Sequence, residues 1–193
     1  MKQKGYINSL LMQMFGRPKG LLGRLGGIIL ARSKGDFTQW VIALLDIKPA
    51  SKVLEVGFGP GVAIKTLAAM VPDGYVAGVD YSQEMVEQAL ARNAKAVKAG
   101  LVRLEYGSVE KLPFADGTFD ISLGINSLQV WSDAMVGLKK MRRVMTVGGT
   151  IALGFTPSSG QLSDGLTEML TAAGFTDAHL VKTEQGFCVL AIK

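Results

Sequence analysis

Val53-Leu-Glu-Val-Gly-Phe-Gly-Pro-Gly61 decides how this chain folds. Three apolar residues and one glutamate lead into glycines at alternate positions, and Val62 to Met70 then carries apolar residues at helical spacing. A buried strand therefore empties into a loop that feeds directly into a helix. Such a turn sets bare backbone N–H groups and a helix N-terminus against whatever binds there, and glycine is needed because a side chain would hold a ligand off the backbone.

Outward from this stretch the chain alternates apolar runs with helical patterns. Strands are expected over Lys52 to Val56, Tyr75 to Asp80, Leu101 to Tyr106, Phe119 to Leu123, Gly149 to Phe155, Ala178 to Lys182 and Phe187 to Ile192. Helical spacing covers Val62 to Met70, Ser82 to Ala99, Asp133 to Met145 and Ser163 to Ala173, and Trp40 to Leu45 reads as the end of another short helix. Ser82 is placed to cap a helix, with Met85 and Val86 facing inward. Gly100 and Gly174 stand where a left-handed C-terminal residue is wanted. Thr183-Glu-Gln-Gly186 is short enough for a hairpin, so one of the last two strands runs against the rest. The expected architecture is a three-layer, Rossmann-like α/β fold: a seven-stranded, mostly parallel sheet with one antiparallel strand and helices on both faces.

Composition narrows the function classes. The 193 residues suit one main domain, and 48% hydrophobic against 19% charged is too apolar for a disordered chain. One cysteine cannot form an internal disulfide, and one histidine rules out a His/Cys zinc cage, so no metal site is expected and the cytoplasm is the expected compartment. The net charge of +5 is a mild attraction to anions that falls short of a nucleic-acid signature.

Residues 1–36 differ in texture. Arg24 interrupts, and Arg17, Lys19, Arg32 and Lys34 flank, a glycine-punctuated apolar run from Leu21 to Leu30, which reads as a loose basic amphipathic helix. Arg24 breaks the run at its centre, so neither a secretory signal nor a membrane span, which needs about 20 apolar residues, is expected. A helix packed on the domain is the plain reading; a lid or a membrane-surface segment is the sharper one, and the sequence leaves them open. The division is thus 1–36, an N-terminal helical lid segment, and 37–193, the main domain.

The second expected strand ends in Gly78-Val-Asp80, nineteen residues past Gly61, where a carboxylate can accept both hydroxyls of a ribose. Val62 occupies the sixth position of G-x-G-x-x-G, where a dinucleotide fingerprint has glycine, and this weakens a nicotinamide reading. Glu55, two residues before the loop, is out of place against a diphosphate but useful against an ammonium group. With these features the sequence resembles the class I S-adenosylmethionine-dependent methyltransferases over roughly residues 37 to 193, and within them the ubiquinone/menaquinone-biosynthesis type, a group acting mainly on small molecules. The resemblance implies S-adenosylmethionine as cofactor and S-adenosylhomocysteine as product. It places Glu55, Gly57, Phe58, Gly59 and Gly61 on the cofactor, Asp80 on its ribose, and Tyr81, Met85 and Asn126 nearby. Gly107-Ser-Val-Glu110 falls where the family's adenine loop has Gly-Asp-Ala-Glu, so Ser108 and Val109 face adenine, with a hydroxyl in place of the usual carboxylate.

Methyl transfer is an in-line displacement, so alignment and water exclusion are the main tasks and a base is optional. His179 falls in a strand pattern remote from the site, and Cys188 reads as a small core residue. The acceptor is expected beyond the fourth strand, near Asn126 and Trp131; capping a turn and helix-to-sheet packing are their plainer roles. Little chain separates Phe155 from the next helix, so the roof is assigned by elimination to Met14–Trp40, which puts Phe15, Arg17 and Phe37 near the acceptor. The N-terminal arginines lean toward an anionic acceptor or a membrane-associated lipid. A small-molecule methyltransferase is the leading function. A non-catalytic S-adenosylmethionine-binding module and a nicotinamide-dependent oxidoreductase are the alternatives, and a nucleic-acid substrate is not expected, since no motif for a flipped base follows the fourth strand.

Overall fold

The computed structural model describes residues 35–193. In chain order they form α1 (Gly35–Ala43), β1 (Lys52–Val56), α2 (Val62–Met70), β2 (Tyr75–Asp80), α3 (Gln83–Arg92), α4 (Ala94–Lys98) and β3 (Val102–Tyr106). There follow β4 (Phe119–Ile125), α5 (Ala134–Val144), β5 (Met145–Phe155), α6 (Leu166–Ala172), β6 (Thr176–Thr183) and β7 (Gly186–Ile192). The seven strands make one sheet in the order β3-β2-β1-β4-β5-β7-β6. All neighbours pair in parallel except β7, which runs antiparallel to both β5 and β6.

Three layers follow from strand periodicity, because successive side chains on a strand point to opposite faces. Val53 joins Phe37, Val41, Ile64, Leu67 and Leu123 on one side of the sheet. Its neighbour Leu54 joins Phe119, Leu138, Met141, Ile151 and Phe155 on the other. No helix among the described residues is long and apolar enough to cross a membrane.

The ends of β4, β6 and α6 shift by two or three residues from those expected, and three further departures stand out. The helix expected over 82–99 is interrupted at Asn93, whose φ of −106° and ψ of 17° leave the helical region. Its buried amide donates to Ala89 O at 2.9 Å and to Gly61 O at 3.1 Å, tying the break to the glycine loop. β5 starts at Met145 rather than Gly149, and its register against β4 slips between Phe119 and Ile121. α1 begins at Gly35, across the 36/37 boundary, so the described domain takes in two residues assigned to the N-terminal segment.

Candidate active site

β1 delivers its chain into the point where sheet order reverses, with β2 on one side and β4 on the other, the position at which open α/β sheets hold ligands. A cleft of about 430 Å³ opens there. The loop leaving β1 turns through three left-handed glycines, Gly57, Gly59 and Gly61, with φ of 76°, 52° and 75°. Their surroundings differ. A Cβ on Gly57 would come within 2.5 Å of Ser127 Cβ, and one on Gly61 within 2.7 Å of Ala89 Cβ, so both glycines are required by packing. A Cβ on Gly59 would meet nothing within 4 Å, which leaves open space beside that backbone.

Asp80 closes the loop from the side. Its Oδ2 accepts from Gly59 N at 2.8 Å and its Oδ1 from Ser82 N at 2.8 Å. Burial pushes the Asp80 carboxyl above its ordinary range, and the two N–H donors work against that shift. Each oxygen keeps lone-pair capacity toward the cleft that it lines. Ser82 caps α3 as expected, accepting from Met85 N.

Glu55 is 3% exposed and lines the same cleft. Its Oε2 is buried without a hydrogen-bond partner among the described residues. Burial, and secondarily the charge of Asp80, push its carboxyl up to about 8. An unpartnered buried carboxyl beside a second carboxylate is a costly arrangement for an empty protein and a suitable one for a cationic ligand.

The expected site residues separate into three groups. Glu55, Gly57, Phe58, Gly59, Asp80, Tyr81, Met85, Ser108, Val109, Asn126 and Trp131 all line the cleft. Gly61 does not: it sits beneath the loop against Ala89 and Asn93, where its part is close packing. Phe37 does not either; it is 3% exposed in the core, stacked near Trp40 and over Gly154, because α1 turns that face to the sheet. Phe15 and Arg17, with all of the supposed lid ahead of Gly35, lie outside the described residues. His179 is on the edge strand β6 and exposed, and Cys188 is buried in the core with its thiol pushed up to about 12.

Asn126 follows β4 with a φ of 51°, a left-handed conformation that asparagine tolerates better than most residues. Its Oδ1 accepts from Thr156 N at 2.8 Å and from Thr156 Oγ1 at 3.2 Å, joining the ends of β4 and β5. The Trp131 indole packs on Gly137 of α5, its plainer role, and also lines the cleft. Glu110 Oε1 accepts from Ser132 N at 3.1 Å and Asp133 N at 3.2 Å, so the loop after β3 holds the start of α5.

Thr38, Tyr106 and Ser127 also line the cleft and escape sequence reading. Thr38 comes from α1 with no spacing relation to the glycine loop. Ser127 is buried against both Gly57 and Gly124, and those two glycines at the ends of neighbouring strands are the signal that could have found it. Tyr106 ends β3 with its ring 6.2 Å from that of Tyr81, and both are more than half exposed at the rim.

Residues 53–149 match the family described as a methyltransferase domain. YdaC of Bacillus subtilis, an uncharacterised methyltransferase, is 30% identical over 181 residues, which is 88% of this chain and 98% of that protein. The chain belongs to the class I S-adenosylmethionine-dependent methyltransferases. This methyltransferase is also 31% identical over 122 residues to the ubiquinone/menaquinone biosynthesis C-methyltransferase UbiE of Geotalea daltonii; the match spans 61% of the chain and about half, 51%, of UbiE. Among solved structures, a SAM-dependent methyltransferase of Aquifex aeolicus shares the fold with a TM-score of 0.78 at 21% identity, over 88% of this chain and 97% of that one. The expected α/β architecture, with its single antiparallel strand, is the one found.

Proposed function

We propose that this methyltransferase acts on a small-molecule acceptor by in-line transfer, with the donor held at the glycine loop and the acceptor between Asn126 and Trp131. The observation that carries the reading is the Asp80 carboxylate, fixed by Gly59 and Ser82 at the mouth of the cleft. S-adenosylmethionine supplies an electrophilic methyl carbon on a sulfonium; everything else is a matter of what the chain holds in place. Asp80 would accept the two ribose hydroxyls through its free lone pairs. The backbone of Gly57, Phe58 and Gly59 would lie along the amino-acid tail, with the open space beside Gly59 leaving it room. Glu55 would face the tail's ammonium. Ser108 and Val109 would border adenine, with Tyr81 and Met85 flanking it.

On the acceptor side, Trp131 offers an apolar wall and Asn126 a polar group on a rigid backbone. The charged side chains lining the cleft among the described residues are the carboxylates Glu55, Asp80, Glu84 and Glu110. In-line transfer would rest chiefly on alignment and on exclusion of water. Phe15 and Arg17, from the segment ahead of α1, would complete the roof. The UbiE resemblance supports a small organic acceptor.

Titration calorimetry with S-adenosylhomocysteine, S-adenosylmethionine and NAD tests the donor half. The two adenosyl sulfur compounds bind and NAD does not, and Asp80→Ala combined with Gly59→Val abolishes the heat. Undiminished binding by that double variant refutes the proposed site.

A further inference from the structure

Glu55 is placed for more than contact. Its carboxyl is buried at the end of β1, its Oε2 has no partner, and it borders the cleft. The charged groups sharing this wall are Asp80 from β2, Glu84 from α3 and Glu110 from the turn after β3; the phenols of Tyr81 and Tyr106 stand at the rim. Among the described residues no lysine, arginine or histidine lines the cleft. Among the described residues such a carboxylate has no counter-charge, its Oε2 has no hydrogen bond, and Asp80 repels it. The neutral acid is then the stable form of the free cleft. A ligand ammonium reverses the preference, because an opposite charge at close range stabilises the carboxylate most strongly where water is excluded.

We propose that donor binding is linked to proton release: Glu55 is a carboxylic acid in the free enzyme, and entry of the donor's ammonium group expels its proton to solvent. The O–H bond of Glu55 breaks, the pair stays on oxygen as carboxylate, the proton goes to buffer, and the ligand keeps its own ammonium protons. This inference rests on the donor reading above. It adds that affinity for the donor and its product depends on pH within the range a cell experiences, the enzyme holding both more tightly in alkaline medium.

Calorimetry with S-adenosylhomocysteine at pH 6.5 in two buffers of different ionisation enthalpy counts the protons. Close to one proton leaves per ligand bound, and Kd tightens about tenfold per pH unit from 6 to 7.5, levelling near 8, where the Glu55 carboxyl of the free protein titrates. Glu55→Gln, a neutral isostere, binds with no proton release and a flat pH profile. A second readout needs no variant: carbon-13 NMR of the carboxyls shows one titrating near 8 in the free protein and shifted well below that in the complex. Binding with no proton released, or no carboxyl titrating above 7 in the free protein, overturns the linkage alone. Absence of binding at every pH overturns the donor reading and the linkage with it.

Discussion

At the scale of single residues, the cleft is expensive to maintain, and two positions measure the cost. Glu55 carries a folded-state value of about 8 against an ordinary 4.5. The fold therefore prefers the protonated acid. Its contribution is fully present below 4.5, declines as pH rises from there to about 8, and is constant above. One such group gives a slope of about 1.4 kcal/mol per pH unit across that window. Urea unfolding at pH 5, 6.5 and 8 should show Glu55→Gln with a distinctly flatter profile than the native chain; Asp80, raised in the same direction by burial, leaves a residual slope. Gly61→Ala should destabilise by about 3 kcal/mol in the same assay, because it adds a left-handed alanine to a Cβ only 2.7 Å from Ala89 Cβ and Asn93 Nδ2. The meeting of Glu55, Gly59 and Asp80 at one cleft was legible in the chain because a glycine loop and a carboxylate at the next strand's end have fixed spacing. Gly61 was legible as necessary but not as packing, since only the position of Asn93 distinguishes the two. Phe37 misled because an aromatic beside a supposed roof and an aromatic in a core look alike until α1 is seen against Gly154.

Elements show how the loop is braced. Asn93 lies between α3 and α4 and reaches back to Gly61 O, while Arg92 donates to Pro60 O. The end of α3 thereby clamps the loop at two successive carbonyls. Asn93→Ala removes two hydrogen bonds at a buried position and should cost about 2 kcal/mol by thermal or chemical unfolding. If the clamp also orders the donor loop, calorimetry should show affinity for S-adenosylhomocysteine weakened several-fold in a variant that is still folded at the assay temperature. Strand positions were readable from apolar runs nearly to the residue for β1 and β2, buried over most of their length. The start of β5 was not. There Val147 is 89% exposed and the strand carries a slip in register, so no apolar run marks it. The break at Asn93 was hidden as well, since helical spacing of Met85, Val86 and Ala89 continues into Ala96 and Val97 and only a tertiary bond ends it.

Across the whole molecule, charge is divided unevenly. Residues 1–34 carry seven of the 21 Lys and Arg and none of the 16 Asp and Glu, so the remaining 159 residues have a net charge of −2. The cleft wall, lined by carboxylates, shares the sign of the domain behind it. The proposed roof would thus be drawn to the cleft by complementary charge, which weakens with salt. Removing residues 1–34, a cut that spares α1, should leave a cooperatively folding domain that binds S-adenosylhomocysteine within a few-fold of the full chain yet has lost turnover on its acceptor. A fully active truncation would sink the roof assignment. The alternation of strands and helices was legible where periodicity repeats, and the role of a single amphipathic segment was not, because nothing in its own pattern names the surface it meets. Sheet order holds one more consequence. β7 follows β6 in the chain, yet it lies between β5 and β6. Until β7 inserts, the facing rims of β5 and β6 lack their hydrogen-bonding partner, so a folding intermediate without that strand would expose two edges prone to pairing with other chains.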